Sequence, residues 1–125
     1  MSAPTRIVTV DDHAPFHEAA RALIEIVPGF ELVEECPDGE TALRVVERVD
    51  PDLVIIDVRM EGLDGIETAR RMRAQDASRV IVLATSGPSS EFEGLAAACG
   101  AAALVRKHWL TPRLLRGLWI AHRRR

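Results

Sequence analysis

Two short runs constrain this chain more than any others. Leu53-Val54-Ile55-Ile56 and Val80-Ile81-Val82-Leu83-Ala84 are apolar at every position. A strand with one solvated face alternates, whereas a strand that is apolar throughout is covered on both faces, as in a parallel sheet flanked by helices. The rest of the chain supplies what such a sheet needs. Ile7-Val8-Thr9-Val10 and Ala102 to Val105 read as further strands, and Phe30 to Cys36 as another whose alternation slips between Leu32 and Val33. Between the strands, apolar residues recur at helical spacing: Phe16, Ala19, Ala20, Leu23, Ile24 and Val27, then Ala42 to Val49, then Ile66, Ala69 and Met72. Pro28-Gly29, Pro37-Asp38-Gly39, Asp50-Pro51 and Cys99-Gly100 punctuate the pattern. Ser90 and Glu93 have the spacing of a capping box and predict the start of a fourth helix. Thr111-Pro112, an N-cap followed by proline, opens a fifth that runs through Ala121. Strand followed by helix, five times over, predicts an open, doubly wound parallel sheet.

A length of 125 residues suits one domain with one core. No apolar run approaches the ~18–20 residues of a membrane helix, and Met1 to Arg6 offers no signal-peptide core. Cys36 and Cys99 form no C-x-x-C pair and are expected to be reduced cytosolic thiols. Charge is unevenly spread: residues 1–99 hold all 19 acids and 9 of the 16 bases. Arg123, Arg124 and Arg125 are expected at a last helical turn, where cations suit the helix dipole, rather than on nucleic acid.

In a doubly wound sheet, ligands bind beyond the carboxyl ends of the strands. Those ends carry Asp11-Asp12 after the first strand, Asp57 after the third, Thr85-Ser86 after the fourth and Lys107 after the fifth. Single acids there are commonly plain helix N-caps, but this ordered set asks for another account. Three carboxylates at one rim repel one another, and a cation relieves the repulsion. An all-oxygen donor set points to a hard ion, Mg²⁺ first. A carboxylate beside such an ion, with a lysine and a hydroxyl facing it, is equipped to accept a phosphoryl group as an acyl phosphate.

Val10-Asp11-Asp12-His13, Asp57-Val58-Arg59-Met60 followed by Gly62-Leu63-Asp64-Gly65, Ala84-Thr85, and Gly100-Ala101 followed by Lys107 together resemble the receiver domains of two-component response regulators. The resemblance covers about residues 5–122 of a single domain spanning 1–125, with no output domain. It implies a flavodoxin-like (βα)5 fold with strand order 2-1-3-4-5. Asp57 would be the phosphoacceptor. Asp11, Asp12, Asp57 and the backbone carbonyl of Arg59 would hold Mg²⁺, and Thr85, Ser86 and Lys107 would meet the phosphate. The donor would be a phosphohistidine on a sensor histidine kinase, in the cytoplasm. Asp11-Asp12-His13 with Pro15-Phe16 looks most like receivers that precede a helix-turn-helix domain, which would make the output transcription regulation. Four positions depart from the family pattern. Glu61 stands where proline is usual, Ser86 where alanine is common, Leu104 in place of a switch aromatic, and His108 in place of a proline that follows the lysine in a cis bond. Cis without proline costs roughly 3–4 kcal/mol, so Lys107–His108 is expected to be trans or locally strained.

His13 and His17, four apart, are read as solvated or capping residues rather than a metal pair. Leu114, Leu115, Leu118 and Trp119 make an apolar stripe on the last helix, with Trp119 at its edge as a candidate dimer surface. With Leu104 it is a candidate readout residue, on a face formed by the fourth helix, fifth strand and fifth helix. Thr85 would signal by displacing Ser86-Gly87-Pro88-Ser89. Competing readings fit less well. An aspartyl phosphatase wants a second acid two residues after the nucleophile, where this chain has Arg59, and a flavin carrier wants a phosphate loop where it has Asp11-Asp12-His13. A turnover enzyme, a membrane partner and direct nucleic-acid binding are not expected. The alternative is a phosphorylation-independent protein-interaction module of the same fold.

Overall fold

The computed structural model describes residues 3–88, 90 and 92–123, so the expectations for Ser89, Arg124 and Arg125 lie outside the described residues. Strands β1 (Thr5–Val10), β2 (Phe30–Cys36), β3 (Leu53–Asp57), β4 (Val80–Thr85) and β5 (Ala103–Arg106) alternate with helices α1 (Ala14–Glu25), α2 (Gly39–Val49), α3 (Gly65–Gln75), α4 (Glu93–Cys99) and α5 (Pro112–His122). The strands form one parallel sheet in the order β2-β1-β3-β4-β5. The slip in the β2 pattern is a bulge: Ile7 pairs with Leu32 and Val8 with Glu34, so Val33 is the extra residue. It turns β2 over, with Phe30 and Leu32 packing on one core and Val33 and Cys36 on the other.

The fully apolar β3 and β4 explain the two-sided architecture. On one face Val54, Ile56, Ile81 and Leu83 meet Ala42, Val46, Ala69, Met72 and Ala96 of α2, α3 and α4. On the other, Leu53, Ile55, Val80 and Val82 meet Ile24 of α1 and Leu115 of α5. Burying each large side chain contributes about 1.5–3 kcal/mol, so both layers fasten the sheet to its helices.

One expectation needs correction, and the expected trans geometry at Lys107–His108 is found. Ser90 does not cap α4: the helix starts at Glu93 with Phe92 at the N-cap and no side-chain capping bond. Phe92 decides that start, because its ring is packed against the first core and lies under the Arg59 guanidinium, 4.9 Å away. Residues Lys107–Trp109 form a 3-10 turn that the sequence pattern did not announce, and every described peptide bond is trans, Lys107–His108 included. His13 stands at the N-cap of α1, ahead of the helix that holds His17, and its side chain makes no capping bond. Both cysteines are free and buried, and burial pushes the Cys36 thiol up to about 12. No helix among the described residues is long and apolar enough to cross a membrane.

Candidate functional site

The register delivers the site. Val10 pairs with Ile56, so Asp11 leaves β1 beside Asp57 at the end of β3. The Asp11 N–H is tied to the Cys36 carbonyl at 3.0 Å, which anchors the strand exit. Asp57 pairs with Ala84, and the Val58 N–H donates to the Ala84 carbonyl at 2.9 Å. Thr85 is the next residue on β4 and pairs with Arg106, immediately before Lys107. Four strand ends thus place Asp11, Asp57, Thr85 and Lys107 on one rim, as the sequence pattern predicted.

The chain leaves β3 and re-enters α3 through a very close contact. The Gly65 N–H donates to the Val58 carbonyl at 3.0 Å, and a Cβ at Gly65 would stand 2.0 Å from the Asp57 carbonyl oxygen. Only glycine lets the loop fold back this tightly onto the residue carrying the carboxylate. Asp64 then caps α3 by accepting the Glu67 N–H at 2.8 Å. Glu61 has a reason to differ from proline: its N–H reaches Asp12 Oδ2 at 3.4 Å, a contact that a proline has no hydrogen to make.

Asp11 is completely buried, and Asp57 and Thr85 are nearly so. Lys107 Nζ lies 2.6 Å from Asp11 Oδ2 and 3.5 Å from Asp57 Oδ1, and 4.6 Å over the Phe16 ring. The ammonium is thus held between two carboxylates on one side and an aromatic face on the other. Burial, and then the neighbouring Asp11 charge, raise the Asp57 pKa above the ordinary carboxylate value; Lys107 and the Arg59 N–H oppose that rise. Thr85 Oγ1 accepts the Gly87 N–H at 3.2 Å, which orients the hydroxyl at the start of the β4–α4 loop. Ser86, next to it, is exposed.

His13, read from the sequence as a solvated or capping residue, is exposed and lies against the acids. Its Nδ1 lies 3.0 Å from Asp11 Oδ1, 2.9 Å from Asp12 Oδ1 and 3.9 Å from Asp57 Oδ2. Lys107 is therefore not the sole basic group at the acids. The signal was present in the adjacency of His13 to the two aspartates, but its spacing from His17 drew attention along the helix instead. His17 is used elsewhere, with Nε2 2.7 Å from the Asp11 carbonyl and Nδ1 3.1 Å from Thr9 Oγ1.

The donor set suits a divalent cation. One oxygen, nitrogen or carboxylate atom from each of Asp11, Asp12, His13 and Asp57 lies within 4.8 Å of all the others. Asp11 Oδ2 is buried and is met by the Lys107 ammonium at 2.6 Å. Asp11, Asp12 and Asp57 share that ammonium and His13, a donor set on which a hard divalent cation would relieve the remaining repulsion. An open groove of about 730 Å³ adjoins the acids, lined by Asp12, His13, Arg59, Met60, Phe92 and Leu95.

The candidate readout residues lie apart from this cluster. Leu104 packs partly buried against the first core, and Trp119 partly buried against the second. The more exposed apolar groups of that region are Trp109 and Ile120.

A family model described as the response regulator receiver domain matches residues 7–118. The nitrate/nitrite response regulator protein NarP of Escherichia coli is 33% identical over 95 residues, which are 75% of this chain and 44% of that protein. A protein-glutamate methylesterase/protein-glutamine glutaminase of Myxococcus xanthus is 35% identical over 106 residues, 84% of this chain and 30% of that protein. The chain therefore spans under half the length of these curated relatives. Among solved structures, a LuxR-family two-component response regulator from an Aurantimonas species superposes with a TM-score of 0.86 at 34% identity, covering 98% of this chain and 89% of that one. The receiver domain of a NarL response regulator from Mycobacterium tuberculosis, 24% identical, shares the fold with a TM-score of 0.87 over 97% of this chain and 98% of its own.

Proposed function

The chain belongs to the response regulator receiver domain family of two-component signalling, and on that premise we propose that Asp57 accepts a phosphoryl group from a sensor histidine kinase. The observation that carries this reading is the buried Asp57 carboxylate, 3.5 Å from the Lys107 ammonium and beside the Asp11 charge. In the transfer, an Asp57 oxygen forms a bond to phosphorus as the phosphorus–nitrogen bond of the donor imidazole breaks. Mg²⁺ bound by Asp11, Asp12, Asp57 and the Arg59 carbonyl would neutralise charge on the transferring group. Lys107, 3.5 Å from Asp57, would pair with the phosphoryl oxygens as they arrive. Thr85, and Ser86 beyond it, would donate to another of those oxygens, a charge-assisted bond on the order of 1.5–3 kcal/mol. That energy biases a two-state loop by roughly 10- to 100-fold, a graded switch.

The switch would act on α4, β5 and α5, with homodimerisation through that face and, in a longer cytoplasmic protein, control of transcription. Catalysis would be confined to the domain's own phosphorylation and dephosphorylation. Incubation with a small acyl phosphate and Mg²⁺, followed by intact mass, tests the assignment. One phosphoryl adduct is expected on the wild type and none on Asp57→Asn. Equal labelling of the mutant overturns the acceptor. Leu104 favours a second reading, since leucine offers no ring to rotate and no hydroxyl to expose: a phosphorylation-independent interaction module. That reading predicts the same oligomer mass and the same α4 hydrogen exchange with and without an acyl-phosphate mimic.

A further inference from the structure

We propose that His17 is a positioning residue for the acceptor site: its Nε2–H donates to the Asp11 backbone carbonyl and fixes the peptide from which the Asp11 carboxylate projects. The inference rests on the proposed acceptor role of Asp57 and adds to it a residue that acts through the Asp11 backbone. A carbonyl oxygen only accepts, so the 2.7 Å contact between His17 Nε2 and the Asp11 carbonyl requires the hydrogen on Nε2. In the neutral ring Nδ1 is then an acceptor, and it meets the Thr9 hydroxyl at 3.1 Å. Both ring nitrogens thereby engage β1 and its exit. On the other side, the Asp11 N–H donates to the Cys36 carbonyl at 3.0 Å. The Asp11 N–H is thus tied to β2 and its C=O to α1, while the carboxylate between them reaches Lys107 Nζ at 2.6 Å.

The fold brings a helix residue to this place. Ile7 and Thr9 share one face of β1, and Ile7 packs there in the core that contains Ile24 of α1. Thr9 is fully buried, and a buried hydroxyl needs a partner. Helical side chains lean back toward the N-terminus of their helix, so His17, in the first turn of α1, reaches the strand exit and the Thr9 hydroxyl together. The helix starts without a side-chain cap, and the half-buried His17 bridge fastens its first turn instead. Phe16, the residue before, carries the ring over which the Lys107 ammonium lies at 4.6 Å. Holding this one turn therefore steadies both members of the Asp11–Lys107 pair. Without the His17 donor the Asp11 peptide loses one of its two ties, and a group displaced by about 1 Å from its productive place can cost about 100-fold in rate.

Two measurements on the whole chain test the role. Nitrogen NMR of the wild type in a chelator should find the neutral His17 ring with its hydrogen on Nε2. Labelling by a small acyl phosphate with Mg²⁺, followed by intact mass and expressed per folded molecule from circular dichroism, then compares two variants. Glutamine carries its amide nitrogen as many bonds from Cα as histidine carries Nε2, whereas asparagine stops one bond short. His17→Asn should lower the labelling rate constant about tenfold or more, on the scale of losing a group that orients a ligand. His17→Gln, which keeps a donor at that reach, should label within about threefold of the wild type. A merely structural histidine would not be rescued by glutamine and lost with asparagine. A neutral ring with its hydrogen on Nδ1, His17→Asn labelling at the wild-type rate, or equal losses in the two variants overturns the positioning role while leaving Asp57 as the acceptor. If the wild type takes no phosphoryl group, or Asp57→Asn labels equally, the acceptor reading fails and the positioning role with it.

Discussion

The junctions β1–α1 and β2–α2 begin alike and end differently. Each strand runs out into aspartate within two residues. At the second junction, α2 starts immediately after Asp38, whose carboxylate accepts the Thr41 N–H at 2.7 Å. That bond holds the Asp38 carboxyl below its ordinary pKa. At the first, α1 starts after Asp11, Asp12 and His13, and no side chain caps it. Asp11 and Asp12 instead face Lys107, His13 and the β3–α3 loop. One acid is satisfied by the backbone it begins; the other two draw on the neighbouring His13 and on groups brought from distant strands. The β3–α3 junction holds both kinds, with Asp57 at the rim and Asp64 capping α3, separated by the loop that Gly65 closes. Acids after strands are therefore either caps or site residues, and the distance from strand end to helix start decides which.

The strongest way to break this division is to disturb the loop that separates its two kinds of acid. Gly65→Ala puts a methyl into the Asp57 carbonyl and should cost about 3 kcal/mol, measured by urea denaturation. Next in size, Asp12→Asn should weaken Mg²⁺ binding roughly 30-fold by calorimetry while leaving the urea midpoint unchanged or raised, because it removes like charge. Asp38→Ala should do the reverse, costing about 1 kcal/mol of stability with Mg²⁺ affinity intact. Equal effects of the Asp12 and Asp38 substitutions on Mg²⁺ would dissolve the distinction between cap and site.

Much of this was legible in the amino-acid pattern because periodicity is a property of the chain itself. Fully apolar β3 and β4 required helices on both faces, and the slip at Val33 was the bulge, seen as a broken alternation. The rim was readable because strand ends in this architecture converge, so Asp11, Asp57, Thr85 and Lys107 could be brought together from their order alone. What was not legible depended on contacts between side chains distant in sequence. The start of α4 is set by Phe92 under Arg59, not by the Ser90 and Glu93 spacing. The contacts of His13 depend on where three carboxylates end up, and the 3-10 turn over Lys107–Trp109 follows from no local rule. Trp119, a candidate dimer surface at the edge of the α5 stripe, packs partly against the second core, and Ile120 beside it is more exposed.

The smallest effect is also the most discriminating, because it separates cap from site by sign alone. Asp38 has a folded pKa below its unfolded value, so its contribution is present above about pH 3.9 and is lost as pH falls from there through the lowered folded pKa. Asp57 has a folded pKa above its unfolded value. The folded state therefore binds the proton more readily than the unfolded chain, and ionised Asp57 is a cost to stability above its folded pKa. That cost is relieved as pH falls from the raised folded pKa toward about 3.9. Denaturation curves in a chelator, with each variant subtracted from the wild type, should show the two trends. Wild type should exceed Asp38→Ala at neutral pH and lose that advantage on acidification below the ordinary carboxylate range. Wild type should fall short of Asp57→Asn at neutral pH and recover as the pH drops toward that range from above. Desolvation dominates the second trend and a backbone hydrogen bond the first, so a shared sign would mean that Asp57 is held by the fold as a cap is held, with nothing left for an incoming cation to relieve.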